Sequence, residues 1–145
     1  MFNSVFSDVV RLIKKWSPQK YEKEDQYRDD LIVYLRKNIM SEDFLGGSEK
    51  HNIRKESGRH LADIGIDNKV GVELKYNLNT KAKVDRLFGQ IDDYLKGYES
   101  MVIVLCGETN EDHLDYLEEK LKKMPTKDMF SSNEIEIIIK NSLIN

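Results

Sequence analysis

The sequence predicts an α/β fold, a three-layer sandwich in which helices flank a central mixed β-sheet on both faces. Residues 70–75 alternate apolar and polar side chains after a short polar turn, which is typical of a strand in a hairpin. Residues 101–106 form a continuous apolar run bounded by Gly107, as expected for a central strand covered on both faces. Between and around these segments, apolar residues recur every three to four positions, which predicts amphipathic helices.

The chain opens with two predicted helices. Residues 2–16 place seven large apolar side chains at helical spacing, and Pro18 ends this helix because the residue before a proline avoids helical geometry. A helix that buries a single face needs fewer large apolar side chains than this. The helix is therefore expected either to pack on the core or to form part of a dimer interface. A second helix is predicted over residues 21–37.

The remaining elements follow in a regular order along one chain. Strands are predicted over residues 51–56, 59–66, 70–75, 101–106 and 134–140, and helices over residues 81–98 and 110–124. No internal repeat or linker interrupts this order. We therefore expect a single domain over residues 1–145, with an N-terminal helix within 1–18.

Composition sets the class of protein but not its activity. With 39% hydrophobic and 34% charged residues, the 145-residue chain is typical of a globular domain. The single cysteine, Cys106, excludes an intramolecular disulfide and argues against a zinc site. No apolar run approaches the roughly 20 residues that span a bilayer, and Lys14 and Lys15 follow the first apolar segment, whereas a secretory signal begins with basic residues. These features predict a cytoplasmic location without membrane partners, while the net charge of −3 leaves nucleic acid open.

Three charged residues are expected to meet on one face of the central hairpin. Successive side chains of a strand point to opposite faces, so Glu73 and Lys75 share one face. A tight turn over residues 67–69 places Asp63 beside Glu73, and Ala62, Ile64 and Ile66 are expected to form the apolar face of that strand. Two carboxylates suit a hard cation such as Mg²⁺ or Mn²⁺, and an ammonium beside them can neutralise charge on a phosphate.

A less specific interpretation is that Glu73 and Lys75 are an exposed pair on a solvated sheet face, with Asp63 in a turn. The bare spacing of these residues is a weak motif, but its context strengthens the catalytic interpretation. The following helix carries a polar flank beside its apolar stripe, formed by Lys83, Arg86, Gln90 and Tyr94. On the helix before the strands, Glu24 shares a face with apolar residues and is expected to point toward the sheet.

The segments Ala62-Asp63 and Val72-Glu73-Leu74-Lys75 resemble the PD-(D/E)XK nuclease superfamily, whose members have the restriction-endonuclease-like fold. The resemblance extends over about residues 21–107, and it implies that this range is the catalytic core. It includes Glu24 and the segment Tyr27 to Leu31 on the preceding helix, Gly58-Arg59 before the first strand of the motif, and Phe88-Gly89-Gln90 with Tyr94 on the following helix. Ala62 stands where the proline of the family name would be, a replacement that is frequent in the superfamily.

The resemblance implies a role for each matching residue. Asp63 and Glu73 would bind the metal together with the backbone carbonyl of Leu74, and Lys75 would be the catalytic lysine. Gln90 would be a polar residue directed at the site, and Glu24 either an outer metal ligand or a partner of the lysine.

These expectations combine into a Mg²⁺-dependent nuclease that acts on DNA and leaves a 5′-phosphate. Small single-domain members such as archaeal Holliday-junction resolvases are similar, and junction cleavage would require a homodimer. The alternatives are a catalytically silent nucleic-acid-binding or assembly module on the same fold, and an interaction domain whose acids are surface residues. Candidate phosphate contacts, chosen because they flank the site in sequence, are Arg54, Lys55, Lys81, Lys83 and Arg86.

Overall fold

A computed structural model describes residues 4–42, 51–124, 134–140 and 142–144 of the chain. In chain order, the elements are α1 (Val5–Lys15), α2 (Glu24–Glu42), β1 (Ile53–Lys55), β2 (Ile64–Ile66), β3 (Val70–Tyr76), α3 (Lys81–Tyr94), β4 (Ser100–Cys106), β5 (Glu108–Asn110), α4 (Glu111–Lys122), β6 (Glu134–Ile139) and β7 (Ser142–Ile144). No helix in these ranges has both the length and the apolar character required to cross a membrane.

Five strands form a mixed sheet in the order β1-β2-β3-β4-β6. The β1–β2 and β2–β3 pairs are antiparallel, whereas β3–β4 and β4–β6 are parallel. Residues 56–63 connect β1 to β2, and a short turn over residues 67–69 connects β2 to β3. The parallel strands are connected through α3 and α4, as parallel pairing requires. The α/β class and the central mixed sheet with flanking helices are therefore confirmed.

The helices cover both faces of the sheet and divide the core into two layers. α1 and α2 pack with the apolar face of β3 that carries Val72 and Leu74, and α3 and α4 pack on the opposite face with Met101 and Ile103. Ser4 caps α1, and the indole of Trp16 donates a hydrogen bond of 3.0 Å to Asp30 on α2. α1 therefore packs on the core, which was one of the two expected roles of its apolar surface.

Several boundaries differ from the sequence predictions. β2 begins at Ile64 and not at residue 59, because the chain turns at Gly58 and His60, which both have positive φ. α3 ends at Tyr94 and not at residue 98, since Lys96 and Gly97 form a turn back onto its last residues. α2 continues beyond residue 37 to Glu42. The short parallel pair of β5 and β7 was not predicted.

Gly71 on β3 packs closely against Met101 and Tyr98 of the α3 and α4 layer. A Cβ there would lie 2.6 Å from the sulfur of Met101 and 2.9 Å from the ring of Tyr98. We expect Gly71→Ala to lower the free energy of unfolding by about 1–3 kcal/mol, because a packed interior has to shift to accept the methyl group. Denaturant unfolding of the purified variant measures this loss.

Gly89 provides the matched control for that substitution. It lies in the interior of α3, with no atom within 4 Å of an added Cβ. Gly89→Ala is expected to stabilise the fold by about 0.5–1 kcal/mol through helix propensity alone. Equal effects of the two substitutions would contradict the tight packing at Gly71.

Candidate active site

Glu73 and Lys75 lie on the face of β3 that is covered by α3. The ammonium Nζ of Lys75 is 3.0 Å from Oε2 of Glu73. The Glu73 side chain is only 3% exposed, and that of Lys75 is 22% exposed. This burial excludes an exposed surface pair. A carboxylate is rarely buried without a partner, and Lys75 is the partner here.

Asp63 lies opposite Glu73, at the point where the chain enters β2. The register pairs Ile64 with Val72, so its continuation by one residue brings Asp63 beside Glu73. The backbone N–H of Asp63 donates to Oε1 of Glu73 over 3.2 Å, and the backbone N–H of Leu74 donates to Oδ2 of Asp63 over 2.8 Å. The two carboxylates and the ammonium thus meet at one point, as the hairpin prediction required.

The segment before Asp63 is held by contacts on both sides. The backbone carbonyl of Asp63 accepts a hydrogen bond from the N–H of Glu56, and the N–H of Ala62 donates to the hydroxyl of Tyr98. Ala62 is buried with the α3 and α4 layer, whereas Ile64 and Ile66 face α1 and α2. The expectation that these three residues share one apolar face was wrong for Ala62, because β2 starts only after Asp63.

Burial and like charge dominate the electrostatics of the site. Removal from water, and after it the charge of the Asp63 carboxylate, together raise the pKa of Glu73 to about 7, because Lys75 offsets only part of their effect. The phenol of Tyr94 on α3 also has a raised pKa, first from burial and then from the charges of Glu73 and Asp63. Tyr94 therefore forms part of the wall that excludes water from the two carboxylates.

Glu24, the first residue of α2, approaches the same site from the other layer. Partial burial raises the pKa of its carboxyl group, with Asp63 acting in the same direction, while Lys75 and the backbone of Tyr76 lower it. Glu24 and Lys75 also line one small pocket of about 200 Å³. The expectation that Glu24 points toward the sheet agrees with this position.

Polar residues of α3 form the opposite wall of this pocket. Gln90, Lys83 and Arg86 line it together with Lys75. Within the described part of the chain, the buried Oε1 atom of Gln90 has no hydrogen-bond partner. A buried acceptor without a donor is uncommon, so this atom is available to a ligand in the pocket.

The candidate basic residues do not all belong to the site. Lys83 and Arg86 line the pocket, and Lys81 lies at the start of the same helix. Arg54 instead contacts Asn68, in the turn at the far end of the β2–β3 hairpin, and Glu56. Lys55 is exposed on β1 and pairs with Ile64, next to Asp63, but neither Lys55 nor Arg54 lines the pocket that contains Lys75.

The donor set fits a cation that keeps most of its water. Among the residues in the described ranges, no three His, Cys, Asp or Glu side chains form a ready-made metal cage. Mg²⁺ is commonly held by only one or two carboxylates and several waters, and Asp63 and Glu73 supply these two. The N–H of Leu74 points toward Asp63, and in an extended strand the carbonyl of the same residue faces the same edge. The Leu74 carbonyl, as well as Gln90 Oε1, can therefore add neutral oxygen atoms near the carboxylates.

Comparison of the chain with protein-family models, with curated proteins and with solved structures found no match. Functional inference therefore depends on the residues of the site itself. The structure brings together all five side chains singled out from the sequence, namely Asp63, Glu73, Lys75, Gln90 and Glu24. Tyr94 was noted only as part of a polar helix flank, and its position against the carboxylates was not anticipated.

Proposed function

We propose that this chain is a Mg²⁺-dependent nuclease of the PD-(D/E)XK superfamily that hydrolyses phosphodiester bonds in DNA, with Mn²⁺ able to replace Mg²⁺. The observation that carries the proposal is the burial of Glu73 between Asp63 and Lys75, the last of which lines a pocket with basic residues. Two acids held together in a desolvated wall are unfavourable for folding, and the single ammonium of Lys75 offsets only part of this cost. A structural role alone does not explain such an arrangement.

Asp63, Glu73 and the Leu74 carbonyl would hold the metal ion. When bound, a divalent ion of this kind polarises a phosphoryl oxygen and lowers the pKa of water. The backbone N–H groups that now bond to Asp63 and Glu73 keep both carboxylates oriented. This preorganisation limits the rearrangement needed when a substrate enters.

Lys75 would orient the attacking water and stabilise negative charge that develops on the phosphate. Its ammonium is held by Glu73 and faces Glu24 across the pocket. Lys83 and Arg86 would neutralise phosphates of the bound strand, and Gln90 would donate or accept one hydrogen bond there. In-line attack with release of the 3′ oxygen leaves a 5′-phosphate on the product.

Two further features belong to this proposal. A homodimer would allow cleavage of both strands of a duplex or a branched junction, with one site for each strand. Because the proposed substrate is DNA inside a cell, we also place the reaction in the cytoplasm. The resemblance to small junction resolvases supports the dimer, and α1 is one element that could contribute to its interface.

The test is cleavage of labelled linear duplex, single-stranded and four-way-junction DNA, and of RNA, with Mg²⁺ or Mn²⁺ against EDTA. Wild type is expected to cut DNA only with a divalent ion, and Glu73→Ala to lose this activity. Glu119→Ala is the matched control, because Glu119 is an exposed acid on α4 that pairs with the exposed Lys123. Cleavage by wild type and Glu73→Ala at equal rates would identify a contaminant and remove the support for the site.

Metal binding can be measured separately from cleavage. A ligand that binds only the folded state raises the unfolding temperature, by about 9 °C for a domain of this size at 100 times its Kd. Mn²⁺ is expected to raise the melting temperature of wild type and of Glu119→Ala, but not of Asp63→Ala. DNA binding without any cleavage would favour the silent binding module, and the absence of both metal and DNA binding would favour the interaction domain.

A further inference from the structure

A second pocket lies beside the proposed active site, at the carboxyl ends of the parallel strands β3 and β4. Its volume is about 440 Å³, within the range of pockets that bind small molecules. Its lining includes Lys20, Tyr21, Glu22, Tyr76, Asn77 and Glu108. None of these residues has a role in the proposed hydrolysis, so the pocket requires its own explanation.

Aromatic rings in fixed positions form one side of this pocket. Tyr27, which is buried, lies between the half-buried rings of Tyr21 and Tyr76, with centroid distances of 5.1 Å and 5.9 Å. The Tyr27 hydroxyl accepts a hydrogen bond from the N–H of Tyr21, and the Tyr21 hydroxyl donates to Asp30. Because these rings are already ordered, a flat ligand can stack on them with little further loss of entropy.

The turn after β4 holds the Tyr76 ring from the other side. Gly107 has a φ of 73°, and a Cβ there would lie 2.8 Å from the Tyr76 ring. Asn77, also at positive φ, accepts a hydrogen bond from the N–H of Glu108 over 2.8 Å. These contacts keep Tyr76 at the pocket wall and bring the Glu108 residue to its rim.

The polar groups of the rim select the kind of ligand. The rim carries one exposed ammonium, Lys20, and two exposed carboxylates, Glu22 and Glu108, which only accept hydrogen bonds when ionised. A flat ring with amino donors fits both the tyrosines and the carboxylates. Cytosine, adenine and guanine carry such amino groups, whereas thymine does not.

The two pockets are adjacent. Tyr76 lines both of them, and Lys75 precedes it on β3 with its side chain on the opposite face. Glu24 lies between them, close to Lys75 and to the Tyr76 backbone. A strand whose base occupied the tyrosine pocket would therefore pass beside the pocket that Lys75 and Lys83 line.

We infer that this pocket binds an unpaired, amino-bearing nucleobase of the nucleotide next to the scissile phosphate. The inference rests on the proposed nuclease function and narrows its substrate to DNA that has a single-stranded or unpaired nucleotide at the cleavage point. A paired base would first have to leave the stack, which costs a few kcal/mol and is least unfavourable where the strand is already single.

An abasic scan tests this inference. The affinity of labelled single strands is measured by fluorescence anisotropy in EDTA, with one base at a time removed along the strand and the backbone retained. We expect a 5- to 100-fold loss of affinity at one position, the range of base–aromatic stacking. Cleavage in Mg²⁺ is measured on the same strands to locate that position relative to the cut.

Variants separate stacking from other effects. Tyr76→Leu should lose affinity and become insensitive to the abasic position, whereas Tyr76→Phe keeps the ring and should behave as wild type. Glu108→Ala leaves the aromatic wall intact and should reduce the preference for cytosine over thymine at that position. Glu119→Ala should change neither property, and thermal melts confirm that each variant is folded.

The possible outcomes distinguish this inference from the nuclease proposal. DNA cleavage with an equal effect of every abasic position would overturn the base pocket and leave the nuclease intact. A single sensitive position without cleavage would support the pocket and remove the nuclease. Equal affinity for full duplex and single strand, or no binding of any strand, would also overturn the pocket.

Discussion

Replacing Glu73 with Gln is expected to stabilise the folded chain at pH 8, by about 2–3 kcal/mol, and to have almost no effect at pH 4. Burial and the Asp63 carboxylate raise the pKa of Glu73 from about 4.5 to about 7. Between these two values the folded chain retains a proton that the unfolded chain has lost. The free energy of unfolding of the wild type therefore falls as the pH rises through this window. Above the window the full loss of stability is present.

The Gln side chain of the Glu73→Gln variant has an uncharged amide, so the variant does not lose stability as the pH rises. Gln can still accept the hydrogen bond from the Asp63 N–H, and Lys75, which is 22% exposed, can turn to water once its partner is neutral. Urea unfolding of wild type and Glu73→Gln in EDTA, from pH 4 to pH 8, measures the difference. Glu119→Gln, at an exposed position, should match wild type throughout. A difference that does not change with pH would contradict the raised pKa.

The same substitution connects stability with function. If Asp63 and Glu73 hold a divalent ion, Mn²⁺ should stabilise wild type above pH 7 and leave Glu73→Gln nearly unaffected. Glu73, whose buried charge destabilises the metal-free protein, would then be a residue that the metal ion requires. Such a conflict between stability and activity is common at catalytic sites.

Lys75→Met is expected to lower the rate of DNA cleavage by about 10²- to 10⁴-fold, the range for loss of one acid–base or charge-stabilising group. Methionine keeps the length and most of the volume of the side chain while removing the ammonium that lies 3.0 Å from Glu73. Single-turnover cleavage with saturating enzyme measures the effect on the chemical step. Retention of more than a tenth of the wild-type rate would exclude Lys75 as a catalytic group.

Lys83→Met is the matched control in the same pocket. Lys83 is exposed on α3 and donates hydrogen bonds to the Asn77 carbonyl and to Asn79. We expect its loss to weaken DNA binding a few-fold, with a shallower salt dependence and little change in the cleavage rate at saturation. This contrast distinguishes a group that acts on the reacting phosphate from one that attracts the strand.

The strongest local patterns of the sequence predicted the fold well. The alternation in β3, the apolar run of β4 and the amphipathic spacing of α1 each determine one element over a short window. Three-residue strands such as β5 have no such window, and Glu108–Asn110 contains no apolar residue that would indicate a strand. Pairing with a distant segment of the chain decides that these residues are extended.

The positions of the site residues can be divided in the same way, into those that local sequence determines and those that contacts with distant segments decide. Glu73 and Lys75 share a face because strand geometry requires it, and the turn over residues 67–69 brings Asp63 opposite Glu73. Local sequence therefore determined the proposed catalytic trio. The burial of Glu73, the raised pKa of its carboxyl group and the contribution of Tyr94 depend on α3, which folds over the sheet from elsewhere in the chain.

Tertiary structure alone assembled the pockets around that trio. Glu24 and Gln90 reach Lys75 from opposite layers, and the tyrosine pocket joins the segment before α2, the end of β3 and the turn after β4. A sequence pattern reports which residues share an element, because periodicity is local. Which elements meet is decided by packing of the whole core, and with it the desolvation that makes two carboxylates and an ammonium a chemical site.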